Sequence, residues 1–294
     1  MAGMSDYLEQ NFLDWMYRRA TWDPGDPKVK LWTTTPTDLE AGTGGTELTG
    51  TGYAANGQSA ARGATNWEVV SETNGYTLQN KLTSAFSWSV GSDWATVNGA
   101  SLQSSGNTFM WGKALTTPRD PASGDTMRFA AAAFQLKLDT TTAAGLNNTA
   151  KQCLLNHLGI ADQSAAATRT PATVYIAVYT SATALNQYTG ASGTEVSTSG
   201  TNYARLAVTS STAWHAAASV GTGYHIHNSS AFNGFSAAGT AWGACRYVAL
   251  VDTANGAIGN YYAIKQLTGD IQIDAGDTFS IAAGAWSISL DESN

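Results

Sequence analysis

The chain has 294 residues, room for about two domains of ordinary size, and 43% of them are hydrophobic, enough for real cores. Charged residues make up only 13%, about half the usual share, with Thr, Ser, Ala and Gly in their place; this suits short strands and tight turns and argues against solvated helical bundles. The net charge of −7 divides evenly, −4 over residues 1–139 and −3 over residues 140–294, and no basic run is available to neutralise phosphates, so no nucleic-acid partner is expected.

In chain order, the first predicted element is a helix. Leu8, Phe12, Trp15 and Met16 fall at i, i+4, i+7 and i+8 and make one apolar stripe, with Ser5 or Asp6 as N-cap. No basic stretch followed by an apolar one precedes it, so no secretory signal is read. Val29–Leu31 is the first strand. Later, Met127 and Phe129 alternate with polar residues, and after a turn Phe134, Leu136 and Leu138 alternate again. A second helix follows a short linker: Ala150, Leu154, His157 and Leu158 repeat the spacing of the first, Cys153 adds to the stripe, and Asn147 or Asn148 is the cap candidate. His157 replaces Trp15 on that stripe and reads as a packed or partly exposed residue.

Strands at Val174–Ile176–Val178 and Tyr247–Ala249–Val251 come next, then Phe279 and Ile281, a turn at Ala282–Gly284, and Trp286, Ile288 and Leu290. Gly, Asn, Asp and Ser cluster between the strands and Pro is confined to loops. No apolar run approaches transmembrane length, so no membrane partner is expected. The expected fold class is all-β: two tandem β-sandwich domains, jelly-roll-like, each preceded by a short N-terminal α-helix.

The tandem arrangement rests on an internal repeat. AGDTFSIAAGAWSISLD (Ala275–Asp291) matches SGDTMRFAAAAFQLKLD (Ser123–Asp139) at eight of seventeen positions. Upstream, in the same order, lie Phe109–Thr116 over Tyr261–Thr268, GSDWATV over GTAWGAC, SAF at Ser84–Phe86 and Ser230–Phe232, and NGYTLQN over TGYHIHN. Tyr53–Ala54 over Tyr203–Ala204, GTEL over GTEV and VKLWT over IAVYT complete the series. The units are therefore drawn as residues 1–139 and 148–294, with 140–147 as linker.

The repeated segment keeps its apolar face and changes the other, and reads as the closing hairpin of each unit. Arg128, Gln135 and Lys137 in the first copy stand where Ser280, Ser287 and Ser289 stand in the second. These six are the interface candidates, since different outward faces imply different neighbours. Low surface charge adds the expectation of a homo-oligomer.

Chemistry is nearly silent. The chain has no GxSxG, P-loop, HExxH or CxxC pattern, so neither catalytic nor cofactor-binding residues are expected and no enzyme is read. Asp125 and Asp277, repeated in GDT, and Glu47 and Glu195, repeated in GTEL and GTEV, are read as structural turn residues. Cys153 and Cys245 are read as buried free thiols. No metal site is assigned. His225 and His227 in YHIHN share one face of a strand and read first as polar residues on a solvated or interfacial surface, with chelation as the alternative. Trp22, Trp67 and Trp214 lie in less regular segments, where exposed rings would form a platform for a host glycan or sit singly at a subunit interface.

SDYLEQNFLDW, VKLWTTTPTD, GGTELTGTGYA and GDTMRFAAAAFQLKLD, in that order, resemble a family of tailed-bacteriophage virion structural proteins of tail-fibre-like or decoration type. The second copy is similar again, through NNTAKQCLLNHLG, PATVYIAVYTS, GTEVSTSGTNYARLAV, NSSAF, VALVDTANG and AGDTFSIAAGAWSISLD. The resemblance implies a non-enzymatic subunit of the virion, assembled in the bacterial host cytoplasm. Its partners would be other virion structural proteins, major capsid or tail, with a host carbohydrate-binding module as the alternative. The absence of heptads favours a compact accessory of head, tail or baseplate over a fibre shaft. Two departures stand out. The YAR of Tyr203–Arg205 becomes Tyr53–Ala54–Ala55 in the first copy, and the Asp-and-turn of Val251–Gly256 becomes Ala100–Gly106 without Asp.

Overall fold

The computed structural model describes residues 2–4, 6–18, 20–38, 42–59, 61–72, 75–81, 86–138, 148–155, 157–158, 170–180, 186, 193–220, 223–258 and 260–290. The linker and the side chains of the cap candidates Ser5, Asp6, Asn147 and Asn148 lie outside the described residues.

Unit one runs β1 (Ala2–Met4), α1 (Asp6–Tyr17), β2 (Lys28–Thr34), β3 (Thr46–Glu47), β4 (Gln58–Ser59), β5 (Trp67–Glu72) and β6 (Gly75–Asn80), then β7 (Ser87–Ser89), β8 (Val97–Gln103), β9 (Phe109–Arg119), β10 (Thr126–Arg128) and β11 (Gln135–Leu138). Its large sheet has the order β1-β9-β8-β2-β3, with β4 also on β2; its small sheet has the order β11-β6-β5. Unit two runs α2 (Asn148–Leu155), β12 (Thr173–Tyr179), β13 (Leu206–Thr209), α3 (Ser210–Ala213), β14 (Ala218–Val220), β15 (Gly223–His227), β16 (Gly243–Val251), β17 (Tyr261–Ile273) and β18 (Ser287–Leu290).

Unit two repeats the topology. Its larger sheet, β13-β12-β16-β17, places β12, β16 and β17 where unit one has β2, β8 and β9, and its small sheet, β14-β15-β18, mirrors β5-β6-β11. Even single pairings recur: Trp32 opposite Glu47 becomes Tyr179 opposite Glu195. All pairings are antiparallel, and the repeat order of the sequence is the repeat order of the strands.

One expectation needs correcting. The repeated Met127–Leu138 segment is not a hairpin, because its arms pair with different strands. β10 pairs with β7 while β11 pairs with β6. In unit two Ile281 bridges Phe232 while β18 pairs with β15. The segment turns a corner and its Phe134 or Trp286 plugs the core at the bend; Phe134 packs on Trp111 (5.4 Å between ring centroids) and Trp286 on Trp214 (5.8 Å). Alternating hydrophobicity specifies which face is buried but not which strand lies alongside.

The helices do more than precede their units. Leu8, Phe12, Trp15 and Met16 are buried as expected, and so are Glu9, Leu13 and Tyr17, which widen the covered arc to half the helix circumference. The added arc explains itself in three dimensions. α1 packs on β9 of its own unit and crosses to β14 and β15 of the other, while α2 packs on its own β17 and crosses to β6. The exchange is reciprocal, since β6 and β15 are equivalent strands.

Polar contacts fasten the seam. Asp14 Oδ1 accepts from the Ala217 N–H (2.9 Å), Tyr17 OH donates to the Tyr262 carbonyl (2.9 Å), and Thr170 Oγ1 donates to the Met16 carbonyl (2.6 Å). His157, buried, stacks on its repeat counterpart Trp15 at 4.1 Å, with Nε2 3.1 Å from the Trp22 carbonyl. Arg62, paired with Asp23 at 2.7 Å, donates to the His157 carbonyl. The main apolar core is consequently one cluster that runs through both units, beside a small separate one of Ala177, Tyr179, Tyr247, Ala249 and Val251 on β12 and β16.

Candidate functional site: the outer faces of the two small sheets

Gln135 and Lys137 on β11 lie opposite Gln79 and Thr77 on β6; Ser287 and Ser289 on β18 lie opposite His227 and His225 on β15. Four of the six interface candidates and both histidine candidates therefore occupy one kind of surface, the outer face of a small sheet. Gln135, Lys137 and Ser287 are exposed, Ser289 half-buried. Arg128 and Ser280, though exposed, sit elsewhere, because the corner carries them to the other arm. Ser280 instead borders a groove of about 320 Å³ with Lys265, Leu267, Phe279 and Ile281; the equivalent groove of unit one, with Lys113, Leu115 and Phe129, holds about 110 Å³.

The two faces differ in how their polar groups are satisfied. In unit one Gln79 Nε2 donates to Glu68 Oε1 (2.7 Å), Gln135 Nε2 donates to Gln79 Oε1 (3.0 Å), and Thr77 Oγ1 donates to Glu72 Oε1 (3.0 Å). Three strands are laced together by their own side chains. In unit two the same places carry imidazoles. His215 joins His225 and His227, its ring 4.5 Å from that of His227, which is 5.6 Å from that of His225. The His215 N–H donates to the His227 carbonyl (2.9 Å). Partial desolvation, then the neighbouring His215 and His225, hold the His227 imidazole below its ordinary range. Among the described residues no three His, Cys, Asp or Glu groups are arranged around a metal position as they stand.

His215 escaped the sequence reading, although a signal existed. Trp67 bridges Asn80 and Trp214 bridges Asn228, so the two tryptophans are equivalent and His215 stands where unit one has Glu68. Aligning those tryptophans would have placed it beside YHIH.

The repeated acids are structural. Asp125 Oδ2 accepts from the Ala122 N–H (2.9 Å) and Asp277 Oδ2 from the Asp274 N–H (3.0 Å), each closing its turn. Glu47 accepts from Tyr53 OH and the Asn56 N–H and pairs with Lys30 at 3.1 Å. Glu195 accepts from Tyr203 OH (2.8 Å) and takes a bidentate Arg205 (2.8 Å to each oxygen). Each tyrosine oxygen in turn accepts a strand N–H, from Leu31 or Val178.

Arg205 also donates to Thr253 and to the Gly256 carbonyl, which fixes the 251–256 turn. The two departures of the first copy thus fall on the two ends of one contact: unit one has no arginine there, and its turn is tied instead by the Ser105 N–H to the Pro24 carbonyl (2.8 Å) and by Lys28 Nζ to Asn107 Oδ1 (2.7 Å). Lys30 supplies the missing positive charge to Glu47.

The aromatic platform is overturned. Trp22, Trp67 and Trp214 are 7%, 1% and 3% exposed, and all ten tryptophans are buried. Trp67 packs edge-on to Phe86, as Trp214 does to Phe232. Cys153 and Cys245 are buried free thiols, pushed up by burial to about 12 and about 11.

A family model described as podophage GP4 fiber I protein gp80 matches residues 3–137 and, a second time, residues 145–289. No curated protein matches the chain.

Proposed function

Because the chain belongs to the podophage GP4 fiber I protein gp80 family and carries its unit twice, we propose that it is a non-enzymatic structural subunit of a tailed-phage particle: a compact accessory body at the tail, where fibre or baseplate components meet. The observation that carries this reading is the double family match on a chain whose two units share one core. Among the described residues the longest helix is the 12-residue α1, which suits a compact body better than a coiled-coil shaft.

The work of such a subunit is to present surfaces. The two small-sheet faces share a scaffold and differ in chemistry, so each suits a different neighbour. Major tail proteins or a second copy of the chain are the partners that the reading supplies. A sugar platform built on Trp22, Trp67 and Trp214 is not available on these buried rings.

Mass spectrometry of purified particles and electron microscopy of particles carrying a labelled chain test this. The chain is expected in the virion at fixed stoichiometry, with label at the tail. Its absence from purified virions, or turnover of host-envelope polymers by the purified protein, overturns the proposal.

A further inference from the structure

We propose that His215, His225 and His227 form a binding site for a late first-row divalent ion, represented by zinc, on the outer face of the β14-β15-β18 sheet. The chain has four histidines, and three of them lie on this one patch, contributed by β15 and by the segment that precedes β14.

Ring spacing supports one shared ion. A zinc–imidazole bond of about 2.1 Å puts the ring centroid roughly 3.2 Å from the metal, so two rings ligating at 90° to 109° stand about 4.5 to 5.2 Å apart. His215 and His227, at 4.5 Å, stand within that range, and His225 and His227, at 5.6 Å, stand slightly beyond it. The nitrogens do not converge as they stand, and His215, which is exposed, has the rotamer freedom to close the site.

The state of the rings fits as well. A ligating imidazole must offer a ring nitrogen that no other group occupies. His225 Nδ1 is buried and has no hydrogen-bond partner.

The strongest argument is the comparison within the chain. Unit one builds the same sheet with Glu68, Thr77 and Gln79, so the fold does not require imidazole at any of the three positions. All three are histidine in unit two, while Ser287 and Ser289 opposite them bring no charge that would compete for the rings.

Titration calorimetry of zinc chloride into the full chain, stripped of metal and of any affinity tag, tests the site. One ion per chain is expected at micromolar affinity, about tenfold or more weaker in each of His215→Ala, His225→Ala and His227→Ala. The control Glu68→Ala, on the equivalent face of unit one, should bind as the wild type does. Because His215 is exposed, His215→Ala keeps the fold, and circular dichroism verifies this. With cobalt in place of zinc, visible d–d absorption reports nitrogen ligation. Binding undiminished in His215→Ala, no binding below about 100 μM, or one ion per two or three chains overturns the proposal.

Discussion

The outer faces of the two small sheets have corresponding strands and buried sides, and β15–β18 keeps the register of β6–β11, yet one is closed on itself and the other is not. In unit one Glu68, Gln79 and Gln135 hydrogen-bond to each other across three strands. In unit two His215, His225 and His227 stand together, and the Nδ1 of His225 lacks a partner. The difference teaches that packing holds the inner residues of a duplicated unit alike, while polar residues on the outer face are released to specialise. A closed face contributes to sheet stability; a face with unspent donors and acceptors is available to something else.

The comparison can be broken most severely at the seam. Trp15→Ala removes a buried ring stacked on His157 and packed near Phe12 and Trp22, at a cost of about 3–5 kcal/mol. Denaturant unfolding should show a single transition moved to lower denaturant for both units, because the core is continuous. Two separate transitions, with only unit one shifted, would mean that the halves fold independently.

Next in size is Arg205→Ala, which strips Glu195 of its bidentate partner and frees the 251–256 turn, costing about 2–4 kcal/mol. Lys30→Ala is the matched change in unit one. Glu47 keeps Tyr53 and the Asn56 N–H there, so about 1 kcal/mol or less is expected. Equal shifts in the urea midpoint would remove the distinction between the two anchors.

Gln79→Ala breaks the ladder of the closed face and should cost about 0.5–1 kcal/mol, read from the same midpoint. The smallest effect belongs to pH on the other face. The folded-state pKa of His227 lies below its unfolded value, so near neutrality the ring is uncharged in both states and titration contributes nothing. As pH falls through about 6.5 the unfolded chain takes up the proton first, and the wild type loses stability that His227→Gln retains. In chelating buffer, melting temperatures of the two proteins should therefore draw together or cross on acidification; a constant gap would contradict the weakened proton affinity of folded His227.

Much of this architecture was legible in the sequence. Strand alternation and helix periodicity follow from burial, so Met127, Leu136, Ile288 and Leu290 announced themselves, and the ordered repeat announced two units. Partner choice was not legible. A stripe such as Leu8–Phe12–Trp15 states that a face is covered without naming the covering element, so the crossing of α1 to β15 stayed hidden. The corner mistaken for a hairpin failed for the same reason. Trp22 and Trp214 misled because burial in irregular segments leaves no period, and Trp67 because β5, which it opens, is buried at that end without alternation. Of the site, His225 and His227 were visible as an alternating pair, whereas His215 needed a tertiary contact to bring it in.

The helix exchange also sets an order of events in synthesis. α1 leaves the ribosome well before β15, on which it comes to rest and which follows roughly two hundred residues later, about 10–40 s at ordinary elongation rates. Through that interval the part of its apolar arc that meets β14 and β15 waits uncovered, and β18 must still follow to complete the sheet that receives it. Nascent chains stalled before β15 should therefore be held by chaperones, and the shared core closes only when α1 and β18 have both been made.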